Sequence, residues 1–403
     1  MLSLAAIREA RDRIADVARV TPIEYSHTFS ERTGAAVHLK LENFQRTGAF
    51  KIRGALNRIA TLSDAEQAAG VVTASAGNHA QGVALAATRA GVDATIVMPE
   101  HAPISKVKAT RSYGARVVLA GVDYEEAQAR AHEIEREEGR TYVHAFDDEM
   151  VMAGQGTIGL EIVSQQPDVE TVIVPIGGGG LIAGIATAIK AQQPDVRVIG
   201  VQAEGAASVA ESLAAGEIRE RDSVDTVADG IATRSVGTQP FAIIQERVDE
   251  VVTVSDEEIA LAITLLLQRS KTLVEGAGAV ALSALLEGRF EYDDDEVIVP
   301  ALCGGNIDMN VLTTVILRGM IQLGRYLKIR TVLPDQPGAL EGLIEIIADK
   351  GANIYEIHHE RASREVGMSD TSVELELETH GPDHAADLLA TVRDAGYTVD
   401  VRK

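Results

Sequence analysis

One lysine stands out as a candidate nucleophile because of the residues around it. Lys51 lies in the sequence Gly-Ala-Phe-Lys-Ile-Arg-Gly-Ala, from Gly48 to Ala55, where most neighbours are small or apolar. A lysine in such a setting loses hydration, and its amine then attacks carbonyl groups more readily. We therefore predict that Lys51 forms a Schiff base. The alternative is a surface lysine at the start of an ordinary helix.

Two loops have the composition of anion-binding sites. The first is Gly177 to Leu181, which follows the apolar run Val172 to Ile176 and precedes a helical segment. N–H groups of a tight loop and the positive end of a helix dipole suit a phosphate there, although the spacing is neither GxGxxG nor a P-loop. The second is Ser75 to His79, which also follows a strand-like run and suits a carboxylate. A flexible turn and a pair of helix caps are the respective alternatives.

These segments, followed by Cys303-Gly304-Gly305-Asn306, occur in an order that resembles the pyridoxal-phosphate (PLP) enzymes of the tryptophan synthase β-subunit type. Within that group the chain is most similar to the threonine ammonia-lyase (threonine dehydratase) family, over nearly its whole length. The resemblance implies PLP as cofactor and L-threonine as substrate, which would lose water and ammonia to give 2-oxobutanoate. It also implies a place in isoleucine biosynthesis.

The resemblance assigns roles to single residues. Lys51 would hold the cofactor and act as base, Phe50 would lie against the cofactor ring, and Asn78 would contact the ring oxygen. Glu275 would line the pocket near the ring, and Cys303 would face the pyridine nitrogen. A thiol with a pKa near 8.5 does not keep that nitrogen protonated, so the ring is a weaker electron sink. Core packing, a helix-start carboxylate and an inert thiol are the alternatives for Phe50, Glu275 and Cys303.

The two loops complete the implied site. The phosphate would be held by Gly177, Gly178, Gly179, Gly180 and Leu181. The substrate carboxylate would be held by Ser75, Ala76, Gly77, Asn78 and His79. Some relatives also bind a divalent ion through a Glu and an Asp six residues later; because Glu204 is followed at that offset by Ala210, we predict no such metal site.

Two other functions stay open. The nearer one is a serine dehydratase or a serine racemase on the same scaffold, with L-serine as substrate. Racemases of this type place a serine at the position of Ala76 as an acid/base for the opposite face of the substrate, which disfavours that activity. The more distant one is a non-catalytic amino-acid-binding regulator, against which the intact lysine and phosphate loop argue.

Apolar strand-like runs alternate with amphipathic stretches, which predicts an α/β fold with parallel sheets. The seven runs are Val37–Leu41, Val71–Ala74, Ala94–Met98, Arg116–Leu119, Thr171–Pro175, Val196–Val201 and Val297–Pro300. We expect two sheets, with the first four runs in one and the last three in the other, because the long segment 123–170 separates them. The resemblance implies a two-subdomain, tryptophan synthase β-like catalytic domain at 1–325, whose smaller subdomain covers about 40–145.

The pattern changes after Leu323. Strand and helix signals in the order βαββαβ predict a ferredoxin-like module over residues 326–403. Asp335 to Leu340 and Gly351 to Ile354 resemble the ACT domain, which commonly binds a free amino acid. The resemblance implies isoleucine or valine as effector, and a homo-oligomer (dimer or tetramer), since one module makes half a site. The implied effector-binding residues are Asp335, Pro337, Gly338, Leu340 and Asn353.

Charge and composition restrict the partners. The chain has 37 basic and 60 acidic residues, with a net charge of -23, which argues against nucleic acid and anionic membranes. Only nine of the basic residues are lysines, and such an acid-rich surface fits a halophilic protein in a salty cytoplasm. Composition bias is the alternative. The single Cys303 and the lack of an apolar run of membrane length lead us to expect a soluble, cytoplasmic protein.

Overall fold

The computed structural model describes residues 2–361, 367 and 369–402. Contacts within the chain divide it into two compact units, Met1–Asp308 and Met309–Lys403. Each unit has its own sheets and its own core. The domain boundaries given above stay predictions.

The first unit contains two sheets. Its strands are β1 (Ile23–Tyr25), β2 (Ala36–Lys40), β3 (Val71–Ala74), β4 (Ala94–Met98), β5 (Arg116–Leu119), β6 (Thr141–Tyr142), β7 (Thr171–Pro175), β8 (Arg197–Ala203), β9 (Glu250–Val254) and β10 (Val297–Pro300). The larger sheet has the order β1-β2-β10-β7-β8-β9, and the smaller has the order β5-β4-β3-β6. All neighbouring strands are parallel except β1 and β2. The predicted parallel α/β fold is therefore confirmed.

Burial on both faces explains the composition of the central strands. Every residue of β3, β4 and β7 is buried, and these strands are continuous apolar runs rather than alternating ones. The helices that flank the sheets are α1 (Leu4–Ile14), α2 (His27–Thr33), α3 (Lys51–Ala60), α4 (Asp64–Ala69), α5 (Asn78–Ala90), α6 (Ile104–Ser112), α7 (Tyr124–Glu138), α8 (Glu149–Gln165), α9 (Gly180–Lys190), α10 (Ser208–Ala215), α11 (Thr238–Arg247), α12 (Asp256–Leu265) and α13 (Gly276–Leu286). A π-helical turn, Leu266–Ser270, extends α12.

All seven predicted strands are present, but their expected grouping is wrong in one respect. The run near residues 36–40 was expected beside β3 and β4. Instead β2 lies in the larger sheet, where Val297 pairs with Ala36 and Ile298 with Val37. Sequence order did not reveal this pairing, because the partner strand β10 comes about 260 residues later along the chain.

Glycines in α8 let three helices approach closely. A β-carbon on Gly154 would lie 2.6 Å from the Arg53 carbonyl oxygen on α3, and one on Gly159 would lie 2.9 Å from the Ile185 carbonyl oxygen on α9. These positions therefore require glycine. The close contact fixes α3, which begins at Lys51, and α9, which begins at the glycine loop, against one common helix.

The second unit has a ferredoxin-like arrangement. After α14 (Met309–Gln322), its elements are β11 (Tyr326–Pro334), α15 (Ala339–Asp349), β12 (Asn353–Glu360), β13 (Asp370–Glu378), α16 (Pro382–Asp394) and β14 (Val399–Arg402). The four strands form an antiparallel sheet in the order β12-β13-β11-β14. Ile329, Leu375, Leu343 and Leu388 are fully buried where the two helices cover one face of this sheet. The predicted βαββαβ module is confirmed.

Within the described ranges, we find no helix that combines the length and the apolar character needed to cross a membrane.

Candidate active site

Lys51 begins α3, and its amine is buried. Its Nζ atom donates to the Ala145 carbonyl oxygen at 3.0 Å and lies 5.2 Å from the centre of the Phe50 ring. Burial lowers the pKa of Lys51 from its ordinary value of 10.5 to about 8, although Cys303 and Glu275 oppose this shift. Near neutral pH, a much larger fraction of this amine is therefore uncharged than of an ordinary lysine, as a nucleophile and a general base require.

Backbone hydrogen bonds join three distant segments beside this lysine. The Phe50 N–H donates to the Cys303 carbonyl at 3.1 Å, and the Gly305 N–H donates to the Gly48 carbonyl at 2.8 Å. The Glu275 N–H donates to the Gly304 carbonyl at 3.1 Å. Four predicted site residues, Phe50, Lys51, Glu275 and Cys303, are thus held together by the main chain.

A carboxyl group and an amide pair across this site. Asn78 starts α5, and its Nδ2 donates to Glu275 Oε1 at 2.6 Å. Burial raises the pKa of Glu275 from 4.5 to about 7, against the opposing effect of the Asn78 hydrogen bond. Asn78 is consequently not a helix cap, which was the alternative for this residue, because its side chain reaches an element about 200 residues away.

Cys303 is a neutral thiol at the end of β10. Its Sγ donates to the Ala277 carbonyl oxygen at 3.2 Å, and only 3% of the residue is exposed. Burial and the nearby Glu275 raise the pKa of Cys303 well above its ordinary value. A group with these properties donates or accepts weak hydrogen bonds and supplies no negative charge to the pocket.

The glycine loop follows β7 and opens α9. Gly179 has a left-handed φ of +91° and is the N-cap residue of this helix. The first N–H groups of a helix have no partner inside the helix, so the loop presents them, with the positive dipole end, to an anion. Leu181 is buried within α9 and anchors the loop to the core.

Phe146 supports this glycine loop. A β-carbon on Gly178 would overlap the Phe146 ring, and one on Gly180 would lie 2.6 Å from the Phe146 carbonyl oxygen. The preceding residue, Ala145, accepts the Lys51 hydrogen bond. One short segment therefore contacts both the candidate Schiff-base lysine and the candidate phosphate loop.

The predicted carboxylate loop lies between β3 and α5. Ser75 Oγ accepts from the N–H groups of Gly77 and Ala80 at 3.2 and 3.3 Å, which leaves its hydroxyl hydrogen to donate. A β-carbon on Gly77 would meet nothing within 4 Å, so this residue borders open space. The His79 ring is buried with a pKa lowered to about 3 by burial, and it contacts the Val143 carbonyl at 3.0 Å.

A buried ion network holds the start of α3. Arg53 is 1% exposed and contacts Glu42 with Nε and Nη2, both at 2.8 Å. It also contacts Glu161 with Nη1 and Nη2, at 2.6 and 2.9 Å. Lys40 Nζ donates to Glu161 as well, at 2.6 Å. Two forked carboxylate contacts two residues after Lys51 fix the orientation of this helix.

These residues fit a PLP molecule. The loop after β7 has room only for glycine, since a β-carbon on Gly178 or Gly180 would overlap Phe146, and its N–H groups are available to a phosphate. The Lys51 amine has a lowered pKa, and the Cys303 thiol is neutral. A comparison with family models decides the matter, because residues 14–304 match the model described as "Pyridoxal-phosphate dependent enzyme". The chain belongs to this family. As a pyridoxal-phosphate dependent enzyme, it uses PLP as its cofactor.

Proteins similar to this chain include an enzyme from a bacterium and two plant proteins of solved structure. An L-threonine ammonia-lyase of Geobacter sulfurreducens is 51% identical over 403 residues, covering 100% of both chains. The solved structure of the processed form of threonine deaminase isoform 2 from Solanum lycopersicum is 42% identical, with a TM-score of 0.76, and covers 78% of this chain and 92% of that one. Maize serine racemase is 36% identical, with a TM-score of 0.75 and coverage of 80% and 98%.

The second unit contains the predicted effector residues. Asp335 to Gly338 form an exposed turn after β11, and Leu340 lies in the first turn of α15. Asn353 begins β12, and its Nδ2 donates to Glu378 at 2.9 Å. Because Glu378 pairs with Tyr326, at the other end of β11, Asn353 and Asp335 are separated by about 30 Å along the strand direction. One module does not bring these residues together.

Sequence reasoning missed some residues of the site. Ala145 and Phe146 carry no functional side chain, so nothing in their type indicates the contacts they make. Asn306 was part of a recognised motif, yet no role was predicted for it. In the described part of the chain, no group of three or more His, Cys, Asp or Glu side chains is arranged to hold a metal ion; the absence of a divalent site stays a prediction.

Proposed function

We propose that the chain is an L-threonine ammonia-lyase, which converts L-threonine into 2-oxobutanoate and ammonia. The observation that carries this proposal is the Lys51 amine, whose pKa is lowered to about 8 in a pocket that also contains the neutral thiol of Cys303. The full-length similarity to a named L-threonine ammonia-lyase supports the choice of substrate. We further propose that the enzyme works in the cytoplasm, in isoleucine biosynthesis.

Different residues of the chain would bind different parts of the cofactor. Bound PLP supplies an electron sink for the electrons of the substrate Cα–H bond. Gly177 to Leu181 would hold its phosphate, Phe50 would lie against its ring, and Cys303 would offer a neutral partner to its ring nitrogen. Asn78 donates to the ring oxygen, and Glu275 fixes that amide.

Lys51 moves the proton. With its pKa lowered to about 8, the Lys51 amine would take the α-proton of the substrate as a general base. The Cβ–O bond then breaks and the hydroxyl leaves as water with one added proton. The enamine that is released takes up water and loses ammonia, which gives 2-oxobutanoate. The Ser75 hydroxyl and the amides of Asn78 and His79, the first residues of α5, would hold the substrate carboxylate throughout.

The composition of the carboxylate loop favours elimination over racemisation. A racemase needs an acid/base group on each face of the substrate, and the methyl group of Ala76 provides none. This side chain packs against the core of the smaller sheet. A serine dehydratase on the same scaffold remains the second candidate, since no described contact separates a serine from a threonine side chain.

A substrate panel tests the proposal. The purified enzyme would receive L-threonine, L-serine and D-serine, with ammonia and the oxo acid measured separately. We expect 2-oxobutanoate from L-threonine at the highest kcat/KM and no D-amino acid from either L-substrate. Formation of D-serine would favour the racemase, and a protein without a PLP absorbance band would favour the non-catalytic regulator.

We also propose that residues 326–403 are an ACT domain that binds isoleucine or valine and regulates the enzyme. Asp335, Pro337, Gly338 and Leu340 would form one part of the effector site, and Asn353 another. Their separation of about 30 Å along β11 within one module supports a site shared between two modules. A homo-oligomer, dimer or tetramer, would then be needed for regulation.

Free strand edges support pairing of these modules. Strands β12 and β14 each have only one neighbour in the described sheet. Tyr355 on β12 is 67% exposed and Val401 on β14 is 39% exposed. Unpaired edges with exposed apolar side chains are surfaces on which a second chain can add strands.

A further inference from the structure

A second asparagine controls the orientation of Asn78. Asn306 lies three residues after Cys303, and its Nδ2 donates to two acceptors. These are the Thr47 carbonyl oxygen, at 2.7 Å, and Asn78 Oδ1, at 2.8 Å. Asn78 Nδ2 in turn donates to Glu275 Oε1, at 2.6 Å. The four groups form a continuous chain of hydrogen bonds from the loop before Lys51 to the start of α13.

One backbone carbonyl group determines which side-chain atoms donate and which accept in this series of hydrogen bonds. A backbone carbonyl only accepts, so the Asn306 side chain must turn its NH2 group toward Thr47. The same NH2 group reaches Asn78, which must therefore present its oxygen to Asn306. Asn78 is left with its own NH2 group facing Glu275, and one of its two hydrogens stays free for another acceptor.

Gly48 makes the arrangement possible. A β-carbon there would overlap Asn306 Oδ1, and the residue has a left-handed φ of +71°. The amide of Asn306 thus fits tightly against the loop that carries Phe50 and Lys51. Rotation of this amide by 180° would place its oxygen against the Thr47 carbonyl, and the two acceptors would repel each other.

We infer that Asn306 is a positioning residue, which holds the Asn78 amide with its NH2 group directed to Glu275 and to the oxygen of the cofactor ring. The inference rests on the proposed position of the ring beside Asn78. Asn306 itself touches neither substrate nor cofactor in this role. Its effect passes through Asn78, so its loss matters only while Asn78 is present.

Asn306→Asp is the most informative variant, because it keeps the shape of the side chain and replaces the NH2 group with an oxygen atom. Its carboxylate only accepts, so Asn78 would rotate and turn its oxygen toward Glu275 and the ring. Asn306→Ala removes the contact without favouring the reversed orientation. Asn43→Ala is a matched control, since Asn43 also fastens a loop by donating to the Leu273 carbonyl at 3.1 Å, and its Oδ1 has no partner among the described residues.

The readouts are the Kd for PLP and the ratio of the visible to the near-ultraviolet band of the bound cofactor. A hydrogen bond to the ring oxygen stabilises the form with the charge on that oxygen, which absorbs in the visible. We expect Asn306→Asp to lower this ratio and to raise Kd by about tenfold, a change of about 1.4 kcal/mol. Asn306→Ala should have a smaller effect, and Asn43→Ala should match the wild type in both.

A double-mutant cycle keeps the test independent of folding. In an Asn78→Ala background, Asn306→Ala, which adds no charge, should change neither the ratio nor Kd further. Full additivity of the two substitutions, or a wild-type spectrum for Asn306→Asp alone, would overturn the inference. A wild-type protein that binds no PLP would instead overturn the proposed function, so the two failures are distinct.

Discussion

The ring of Phe146 lies directly on Gly178. No side chain larger than hydrogen fits between them, because a β-carbon on the glycine would overlap the ring. Ala145, the residue before the phenylalanine, accepts the hydrogen bond of Lys51 at 3.0 Å. The shape of the phosphate loop and the position of the lysine therefore depend on the same short segment.

Gly178→Ala should weaken cofactor binding. The added methyl group must push the loop away from Phe146, and the N–H groups of Gly178 and Gly179 would leave the phosphate. We expect Kd for PLP to rise about tenfold or more, which corresponds to about 1.4 kcal/mol. Equilibrium titration of the apoenzyme with PLP measures this directly.

Gly91→Ala is the control for that experiment. Gly91 ends α5 with a left-handed φ of +69°, and a β-carbon there would meet nothing within 4 Å. We expect a loss of stability of about 1 kcal/mol from the strained backbone and an unchanged Kd for PLP. Equal losses of affinity in both variants would show that Phe146 does not support the loop.

Cys303→Ser should retain most activity, whereas Cys303→Asp should not. Serine is a neutral donor and can keep the bond to the Ala277 carbonyl, which the thiol makes at 3.2 Å. Aspartate would place a negative charge beside Glu275 and would favour a protonated ring nitrogen, which shifts the electronics toward side reactions.

Turnover and the ratio of 2-oxobutanoate to side products would be measured for both Cys303 variants. An aspartate variant with wild-type turnover and the same product ratio would mean that Cys303 does not face the ring.

The fold was largely predictable from local sequence, whereas the order of the strands was not. Strands such as β3 and β4 are buried on both faces, so they appear in the sequence as continuous runs of mostly apolar residues. The strands β1, β6 and β9 were missed. The first two have only three and two residues, and Glu250–Val254 forms the edge of the larger sheet, with partly exposed residues.

Parts of the candidate site could be proposed from residue type alone. Lys51 was proposed from its small and apolar neighbours and the glycine loop from its backbone N–H groups, whereas Cys303 was proposed from the family resemblance. Phe146 and Asn306 were not predictable in the same way, because their roles depend on contacts with Gly178 and Asn78 that lie far away in sequence. Only the folded chain brings those pairs together.

Gly338→Ala should impair the response to an effector. Gly338 begins α15 with a left-handed φ of +88°, at the loop expected to bind the amino acid. If isoleucine or valine binds there, coupling of about 1 to 3 kcal/mol would shift the apparent threonine affinity about 5- to 150-fold. The variant should lose this shift and keep the basal activity.

Gly396→Ala provides the matched control in the same module. Gly396 has a left-handed φ of +93°, and a β-carbon there would meet none of the described residues within 4 Å. Threonine saturation curves with and without isoleucine and valine would be recorded for the wild type and both variants. If neither amino acid changes the wild-type curve, the proposed sensing role is wrong.

Stability should rise with salt. The net charge of -23 causes repulsion among surface carboxylates, and about 2 M KCl reduces the screening length to below about 3 Å. We expect Tm to increase steeply between dilute buffer and this concentration. A Tm that does not change over the range would favour composition bias over adaptation to a saline cytoplasm.

The most direct test measures product formation from L-threonine by a variant that lacks the Lys51 amine. Wild type, Lys51→Ala and the control Lys108→Ala, which alters an exposed lysine of α6, would be incubated with PLP and L-threonine while 2-oxobutanoate and ammonia are measured. We predict that the wild type and Lys108→Ala each form 2-oxobutanoate and ammonia in equal amounts. Lys51→Ala should form neither product, although its fold is unchanged. Product formation by Lys51→Ala would contradict the proposed catalytic role of Lys51. So would a PLP adduct on a different lysine that borohydride reduces to a permanent bond.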